Sequence, residues 1–330
     1  MSEHADPPVR KAGGSVIALS GGVGGAKLVL GLAKILAPED LTVIANCGDD
    51  FVHLGLTICP DIDTVTYTLA GLANQELGWG RAGETWSFMA AFKDLGGEDW
   101  FNLGDGDLAL HVARSGRLAA GEPLSAVTAD LCRRLGIAVT VRPMSDDPVR
   151  TIVETADGPL AFQHYFVRDL CQPAVTGFHF EGIERARPDP MLMAGLAAPE
   201  TAALIIAPSN PFVSVDPILA LPGVRQAISQ STVPVIAVTP IVGGEAIKGP
   251  AAKMMRELAM PASAAAVAGH YQGLVNGFVL DQVDADQAPE IEALGMAVLT
   301  TNTVMKCLED RVELAEQTID FAKQLRVVEP

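Results

Sequence analysis

Aromatic residues are scarce in this sequence, and its cysteines form no recognisable pattern. Phe, Trp and Tyr make up 5% of the 330 residues, whereas glycine and proline contribute 32 and 22 residues. This mixture predicts many tight turns between short strands and helices. The five cysteines are odd in number, and no two have C-x-x-C spacing. A disulfide framework or a zinc site is therefore not indicated, and we expect a reducing, cytoplasmic location.

Long apolar segments and positive charge are also lacking. No stretch approaches the about 18 apolar residues of a membrane span, and the polar N-terminus lacks the roughly 7–15-residue apolar run of a signal peptide. We expect no membrane association and a disordered tail over residues 1–14. The net charge of −17 argues against nucleic-acid partners, whose phosphates would be repelled. The acidic chain can still bind a phosphate-bearing small molecule at a site where backbone N–H groups, a few basic side chains and a metal offset the negative charge of the phosphate.

Short apolar runs alternate with helical patterns near both ends of the chain. Residues 15–20 and 41–46 are typical of buried strands, and residues 26–36 between them have helical spacing. Such a unit predicts parallel strands joined by a right-handed crossover. Further strands are predicted at residues 203–207, 235–238, 277–281 and 296–300, and a closing helix at 308–325.

The middle third of the chain has a different character. Helical spacing predominates at residues 84–95, 107–118 and 125–134, followed by a strand at 137–142 and a hairpin at 151–165. We therefore predict an α/β fold in one domain, residues 15–330. A doubly wound, mostly parallel sheet would come from residues 15–75 and 200–330, with a largely helical insertion over about 76–199.

The first candidate site is Ser20-Gly-Gly-Val-Gly-Gly-Ala-Lys27, between the first strand and the first helix. Glycines there let the backbone approach a phosphate, and the helix N-terminus offers N–H donors and partial positive charge. The motif matches neither the Walker A pattern nor G-x-G-x-x-G. A tight turn with close strand–helix packing is the structural alternative. The candidate phosphate-binding residues are Gly21, Gly22, Gly24, Gly25 and Lys27.

Carboxylates collect after the second strand. Asn46-Cys-Gly-Asp-Asp50 is followed closely by Pro60-Asp-Ile-Asp-Thr64. In α/β folds, ligands bind beyond the carboxyl ends of parallel strands, and two carboxylates together with phosphate oxygens suit Mg²⁺. Helix capping by Asp61 or Asp63 and a simple turn at Asp49-Asp50 are the structural alternatives.

Beyond these two clusters, several motifs follow one another along the whole chain. They include Leu103-Gly-Asp105 with Asp107-Leu-Ala109 and His111, Pro143-Met-Ser-Asp-Asp-Pro148, Ala207-Pro-Ser-Asn-Pro211, Phe162-Gln163, Pro217-Ile-Leu with Leu221-Pro-Gly223, and Lys248-Gly-Pro250. Taken in order with the glycine and carboxylate motifs, they resemble the successive signatures of the 2-phospho-lactate transferase family of coenzyme F420 biosynthesis. The resemblance runs from about residue 15 to residue 323, which is nearly the whole chain.

The resemblance implies a Rossmann-like core with a helical insertion lining the acceptor site, usually assembled as a homodimer. It also implies a magnesium-dependent transferase. The implied donor is a guanosine-diphosphate-linked phospho-acid, whose acid is lactate, enolpyruvate or glycerate. The implied acceptor is the ribityl hydroxyl of the deazaflavin Fo, and the products are a phosphodiester-linked coenzyme precursor and GMP. A guanylyltransferase that makes the donor is the implied pathway partner.

Position by position, the resemblance assigns Asp50 and Asp61 as the catalytic magnesium ligands. Asp49 is a third candidate ligand, at a place where relatives can carry Glu. The glycine motif would hold the diphosphate. The remaining contacts with donor or acceptor are assigned to Asp63, Thr64, Trp86, Asp105, His111, Ser145, Asp146, Asp147, Ser209 and Asn210.

Several of these residues also have a structural interpretation. An Asx turn before the following proline explains Asp146 or Asp147, and a turn explains Asn210. A lone histidine on a helix, such as His111, is more often structural than catalytic. Trp86 can stack on a planar deazaflavin or belong to the core.

One position departs from the family's pattern. The family usually has Leu-Gly-Asp-Arg-Asp, where this chain has Leu103-Gly-Asp-Gly-Asp107. Gly106 removes a guanidinium that can contact a phosphate or a carboxylate. The acid carried by the donor and the binding mode of the acceptor are therefore open.

Two other functions remain open from the sequence. The glycine motif is compatible with a dinucleotide-dependent oxidoreductase, although the acidic motifs suit a metal better than a ribose. Distant relatives resemble non-enzymatic regulators that bind a nucleotide sugar and share the glycine motif. The block at residues 103–111 argues against that alternative.

Overall fold

The structure, a computed structural model, describes residues 13–75 and 78–327. The predicted disordered tail lies outside the described residues except for Gly13 and Gly14. The strands are β1 (Ser15–Ser20), β2 (Leu41–Ala45), β3 (Phe51–His53), β4 (Leu56–Ile58), β5 (Thr140–Pro143), β6 (Arg150–Thr155), β7 (Leu160–Ala161), β8 (Val175–Glu181), β9 (Thr201–Ile206), β10 (Val235–Val238), β11 (Ile241–Val242), β12 (Glu245–Ala246), β13 (Gly277–Asp281) and β14 (Ala297–Thr301).

Helices connect most of these strands. They are α1 (Gly22–Ile35), α2 (Pro60–Leu69), α3 (Ser87–Asp94), α4 (Asp105–Ala119), α5 (Leu124–Arg134), α6 (Pro190–Ala197), α7 (Asp216–Leu219), α8 (Val224–Gln230), α9 (Ala251–Glu257), α10 (Ala264–His270), α11 (Ala288–Ala293) and α12 (Leu308–Val327). Short 3₁₀ segments occupy Pro38–Asp40, Ile183–Arg185 and Gln282–Gln287, and π-helical turns occupy His164–Arg168 and Pro211–Val215.

Seven strands form one sheet in the order β14-β13-β10-β9-β1-β2-β5, and every pair in it is parallel. β1 lies near the centre, with Val16 opposite Leu41 of β2 and Ala203 of β9. All the residues of β9 and β10 are buried, as expected of strands that are covered on both faces. The predicted parallel sheet is confirmed.

Helices cover both faces of this sheet. The side chains of β1 alternate between two hydrophobic clusters, with Val16 and Ala18 in one and Ile17 and Leu19 in the other. The first cluster includes the apolar faces of α1 and α12, and the second includes residues of α6, α8, α9, α10 and α11. The doubly wound, Rossmann-like prediction is therefore confirmed. Within the described ranges, no helix is both long and apolar enough to span a membrane.

The middle third contributes more to the sheet than the sequence indicated. Its strand β5 pairs with β2 and closes one edge of the sheet, although we expected this segment outside the core. The predicted hairpin is present as β6 and β7, and β8 adds a third antiparallel strand. α1 begins at Gly22 instead of residue 26, so the glycine motif forms the first turn of the helix.

Candidate functional site

The candidate site lies where the loops after β1, β2 and β9 meet at the carboxyl edge of the sheet. From β1 the chain continues outward to β2 and β5 on one side, whereas β9 leads to β10, β13 and β14 on the other. The change in strand order between β1 and β9 is a topological switch point. In open α/β sheets, ligands bind in the crevice at such a point.

The glycine motif is shaped by close packing. The Gly21 N–H donates to Ser209 Oγ over 3.1 Å, and the Gly22 N–H donates to Asp61 Oδ1 over 2.6 Å. A Cβ at Gly21 would lie 2.5 Å from Asp61 Oδ2, and a Cβ at Gly25 would lie 2.6 Å from the Ser209 hydroxyl. Such distances admit only glycine, so the structural alternative accounts for these positions. Phosphate binding by the motif stays a prediction.

Three aspartates form a buried group that we call the carboxylate cluster: Asp49, Asp50 and Asp61. The Asn46 amide lies between two of them and donates to Asp49 Oδ1 over 3.2 Å and to Asp61 Oδ2 over 2.9 Å. Gln163 donates to the other oxygen of Asp49 over 3.3 Å. Asn46 and Gln163 were not assigned as site residues, although both stand in the quoted motifs. They fix the orientation of two carboxylates at the end of β2.

Burial disfavours the charged forms of the acidic groups in the carboxylate cluster. Burial raises the pKa of Asp50 to about 7, although a hydrogen bond from the Cys59 thiol acts in the opposite direction. Burial, followed by the charges of Asp61 and Asp50, holds the pKa of Asp49 well above its ordinary value. Asp50 Oδ1 is buried and has no hydrogen-bond partner among the described residues. An unpartnered buried carboxylate oxygen is costly without a cation.

The donor set of the carboxylate cluster fits the predicted magnesium ion. Hard divalent cations of this kind prefer carboxylate oxygens and retain several waters. Asp50 offers the unpartnered Oδ1, and Asp61 of α2 accepts from the Gly22 N–H at the N-terminus of α1. Both oxygens of Asp61, like both of Asp49, already accept hydrogen bonds. Asp50 and Asp61 are the ligands that the family resemblance assigns, and of the two only Asp50 has an unpartnered oxygen. Magnesium binding stays a prediction.

Next to the carboxylate cluster is a second feature, which we call the basic pocket. Four cationic side chains line it: Lys27, Lys248, Lys306 and Arg311. Burial, and then the charges of Arg311 and Lys248, lower the pKa of Lys27. Burial likewise lowers the pKa of Arg311, which is 7% exposed. In a chain of net charge −17, this local concentration of positive charge favours an anionic ligand.

The sequence identified only Lys27 among these four cations. Lys248 stood in the quoted Lys248-Gly-Pro250 motif, but it was given no role. Lys306 and Arg311 flank the start of the closing helix, where basic residues carry no motif. Long-range packing of α1 against α12 brings them to Lys27, whose Nζ donates to the Met305 carbonyl over 3.0 Å.

Two helices connect the basic pocket to the carboxylate cluster. On α1, Gly22 binds Asp61, and the next residue, Val23, lines the pocket. On α2, Asp61 and Thr64 are three residues apart and therefore neighbours on one helix face; Thr64 lines the pocket. An anionic ligand in the basic pocket can thus extend towards a cation at the carboxylate cluster. Among the predicted substrate residues, Thr64 lines the basic pocket, and its contact with substrate stays a prediction.

Asp63 and His111 belong to a buried network between α2 and α4. Arg114, 1% exposed, donates to both carboxylate oxygens of Asp63, with Nη1 at 3.0 Å from Oδ2. His111 lies between the Asp63–Arg114 pair and Asp107. Its Nδ1 is 3.3 Å from Arg114 Nη1, and its Nε2 is 3.2 Å from Asp107 Oδ1. The Asp107 carboxylate also accepts from the Tyr67 hydroxyl over 2.5 Å. These contacts give Asp63 and His111 a structural role, and substrate contact by either stays a prediction.

Asp105, in α4, caps the start of α3, and Glu84, which lies just before α3, caps the start of α4. Asp105 accepts from the Ser87 and Phe88 N–H groups at the start of α3, over 3.2 and 3.1 Å. Glu84, which sequence reasoning missed, accepts from the Gly106 and Asp107 N–H groups at the start of α4, over 2.6 and 2.9 Å. Carboxylates are favourable at helix N-termini because they satisfy free N–H groups. Capping therefore explains Asp105 without a substrate.

Four other predicted residues have well-defined structural partners. Asp146 accepts from the Ser125 N–H and hydroxyl at the start of α5, over 2.6 and 2.8 Å. Asp147 pairs with Arg187 at the surface, and the Ser145 hydroxyl donates to the Arg187 carbonyl over 2.7 Å. The Asn210 side chain accepts from the Phe212 N–H over 3.0 Å in the π-helical turn.

Trp86 and the nearby Trp79 are not core residues. Their exposed fractions are 41% and 52%, which excludes the core alternative for Trp86. Trp79 also lines the basic pocket. Both rings are accessible to a planar ligand, and stacking by Trp86 stays a prediction.

Comparison with known sequences gives the family. Residues 16–310 match the family described as 2-phospho-L-lactate transferase CofD. The chain belongs to this family. It is 40% identical over 318 residues to the "Phosphoenolpyruvate transferase" of Streptomyces griseus, covering 94% of this chain and 99% of the relative. The "2-phospho-L-lactate transferase" of Methanococcoides burtonii is 36% identical over 306 residues, with 93% and 99% coverage.

The fold is shared more widely. A crystal structure of a upf0052 family member from Bacillus halodurans superimposes with a TM-score of 0.59 at 16% identity, covering 93% of this chain and 98% of that one. At this identity the likeness concerns the fold alone. The CofD-family chain is thus a transferase with a Rossmann-like core, which removes the support for an oxidoreductase.

Proposed function

We propose that this CofD-family transferase moves a phospho-acid from its guanosine-diphosphate-linked form to the ribityl hydroxyl of the deazaflavin Fo and releases GMP. One observation carries the proposal: the carboxylate cluster and the basic pocket adjoin on α1 and α2. A nucleoside diphosphate requires positive charge for its phosphates and, commonly, a divalent cation held by carboxylates. The pair of sites offers both.

The proposed reaction is a single in-line displacement. The ribityl oxygen forms a bond to the acid-side phosphorus, the bond to the GMP phosphate breaks, and the hydroxyl proton passes to a carboxylate or to water. Lys27 and Arg311 hold the nucleotide phosphates by charge, and Asn46 keeps Asp61 oriented. A magnesium ion held by Asp50 and Asp61 would neutralise charge that develops on the phosphate oxygens.

Among the three acids, enolpyruvate is favoured. Relatives named phosphoenolpyruvate transferase from Streptomyces and Kitasatospora are 40–41% identical to this chain, and that from Thermobifida fusca is 39% identical. Relatives named 2-phospho-L-lactate transferase are 36% identical. We therefore place phosphoenolpyruvate first and phospho-lactate second. A guanylyltransferase that forms the donor is the proposed partner enzyme, and a cytoplasmic homodimer stays a prediction.

A coupled assay tests the function and the acid together. The reaction contains this protein, a guanylyltransferase, GTP, magnesium, Fo and one of phosphoenolpyruvate, 2-phospho-lactate or 3-phosphoglycerate. Mass spectrometry then detects a deazaflavin that has gained one phospho-acid. We expect the largest rate with phosphoenolpyruvate. No product with any acid, despite verified donor formation, together with binding of a nucleotide sugar, would favour the non-enzymatic regulator.

A further inference from the structure

The space beside Gly106 is occupied by another residue's guanidinium. Gly106 is the second residue of α4. A Cβ built on Gly106 would overlap Nη1 of Arg81 and lie 3.0 Å from its Cζ. The Arg81 guanidinium therefore occupies the position from which a side chain at 106 would emerge.

Arg81 is held in this position from both ends. Its backbone forms an isolated bridge with Ala73, which fixes the base of the segment that follows α2. At the other end, Nη1 lies 3.5 Å from Glu84 Oε1, and Glu84 in turn caps the start of α4. The Arg81 side chain remains 33% exposed, whereas that of Glu84 is 6% exposed. The guanidinium is thus anchored without being enclosed.

The segment closed by this bridge borders the basic pocket. Gln75, Gly78, Trp79 and Gly80 all line it. Arg81 directly follows them and extends from the pocket's rim to the N-terminus of α4. A guanidinium has five N–H donors in a planar fork that matches carboxylate and phosphate oxygens. The contact with Glu84 uses one of them.

We propose that Arg81, whose guanidinium occupies the space beside Gly106 at the rim of the basic pocket, binds an oxyanion of the substrates. The oxyanion is a carboxylate or phosphate oxygen. Glycine at position 106 leaves room for this guanidinium, because a side chain there would displace Arg81. This inference rests on the proposed transferase function and assigns one of its specificity-determining residues.

A residue swap tests the proposal. Arg81→Ala should weaken the affinity for the substrate that carries the oxyanion by about tenfold or more, as expected for loss of a charge-assisted hydrogen bond. The double variant Arg81→Ala/Gly106→Arg should recover affinity to within about threefold, since an arginine then emerges from α4. Arg133→Ala is the matched control, because Arg133 is 72% exposed on α5 and pairs with Asp130.

Two measurements identify which substrate is bound. Titration of Fo fluorescence gives the acceptor's Kd without any donor, and initial rates at limiting donor give the donor's KM. A change confined to the Fo titration assigns Arg81 to the acceptor. A change confined to the donor's KM assigns it to a donor carboxylate or phosphate. Either result supports the proposal.

A purely structural role for Arg81 predicts different results. If Arg81 only holds Glu84, Arg81→Ala should lower Tm, and Arg81→Lys, which keeps a charge beside Glu84, should restore both Tm and affinity. We expect Arg81→Lys to keep Tm and to recover affinity only in part, because an ammonium lacks the fork. Unchanged affinities in Arg81→Ala, or no recovery in the swap, would overturn the proposal. An inactive wild-type protein instead contradicts the transferase function, and titrations of Fo and of GDP into wild type and Arg81→Ala then test Arg81 by binding alone.

Discussion

The carboxylate cluster and the basic pocket adjoin on the same two helices, yet they differ in how the chain builds them. Asp49, Asp50 and Asp61 come from one continuous stretch after β2. The four cations of the basic pocket come from α1, from the loop before α9 and from the start of α12. Each site concentrates ionisable groups of one sign, and each therefore favours a ligand of the opposite sign.

This difference separates two chemical tasks. The carboxylate cluster is buried and preorganised by Asn46, as a cation site requires. The basic pocket is more open and uses long, flexible side chains, which suits recognition of a nucleotide. If this division holds, substitutions in the carboxylate cluster should change the magnesium dependence of the rate. Substitutions in the basic pocket should change the affinity for the nucleotide.

The largest expected effect belongs to the carboxylate cluster. Asp50→Asn keeps the shape but removes the charge, so we expect kcat to fall by about 10²–10³-fold and the magnesium concentration for half-maximal rate to rise. Rates measured over a range of magnesium concentrations check both effects. Full activity across that range would show that Asp50 is not a magnesium ligand.

Asp189→Asn is the matched control for this variant. Asp189 is as deeply buried as Asp50, at 3% exposure. Its charge is neutralised by Arg142, 2.8 Å away, and it caps α6. We therefore expect a lower Tm with an unchanged response to magnesium. A magnesium response that shifts equally in both variants would mean that loss of stability explains the Asp50 result.

A smaller effect should follow from changes in the basic pocket. Arg311→Ala and Lys306→Ala should each raise the Kd for GDP by about tenfold through loss of charge-assisted contacts. The magnesium dependence of the rate should stay unchanged. Isothermal titration with GDP measures the Kd, and the coupled assay measures the magnesium dependence of the rate.

Arg326→Ala on the same helix controls for general loss of positive charge. Its side chain is exposed and contacts the Pro199 carbonyl instead of the basic pocket. We expect its GDP affinity to equal that of the wild type. An equal loss in Arg326→Ala and Arg311→Ala would mean that net charge, and not the pocket, governs nucleotide affinity.

The same difference explains what could be predicted from the sequence. The parallel sheet and the carboxylate cluster follow from local patterns, because an apolar run and the acids after it are contiguous. The basic pocket joins Lys27 to Arg311, and no local pattern records a contact over such a separation. The buried pair between Asp63 and Arg114 spans 51 residues and was missed for the same reason.

Close packing was the second thing that the sequence did not reveal. A glycine motif before a helix is typical of phosphate binding, but the packing of Gly21 and Gly25 against Asp61 and Ser209 also requires glycine. Strand β5 was placed outside the sheet because the four residues that pair with β2 are preceded by three helices. Such features depend on tertiary neighbours.

The smallest expected effect is a pH dependence of nucleotide binding that arises at Lys27. Burial and the charges of Arg311 and Lys248 lower its pKa from 10.5, and Lys306 and the Met305 carbonyl also lie near its ammonium group. The protonated form binds the phosphates, so GDP affinity should fall as the pH rises through this lowered pKa. The decline should begin below the pH at which an ordinary lysine titrates, and it should amount to a few-fold, about the loss of one exposed charge contact.

Titrations with GDP from neutral to alkaline pH measure the decline in affinity. The Lys27→Met variant should bind GDP more weakly at neutral pH and should lose the pH dependence. A decline that persists in Lys27→Met would show that it arises at another group, and it would limit the role of Lys27 to packing against α12.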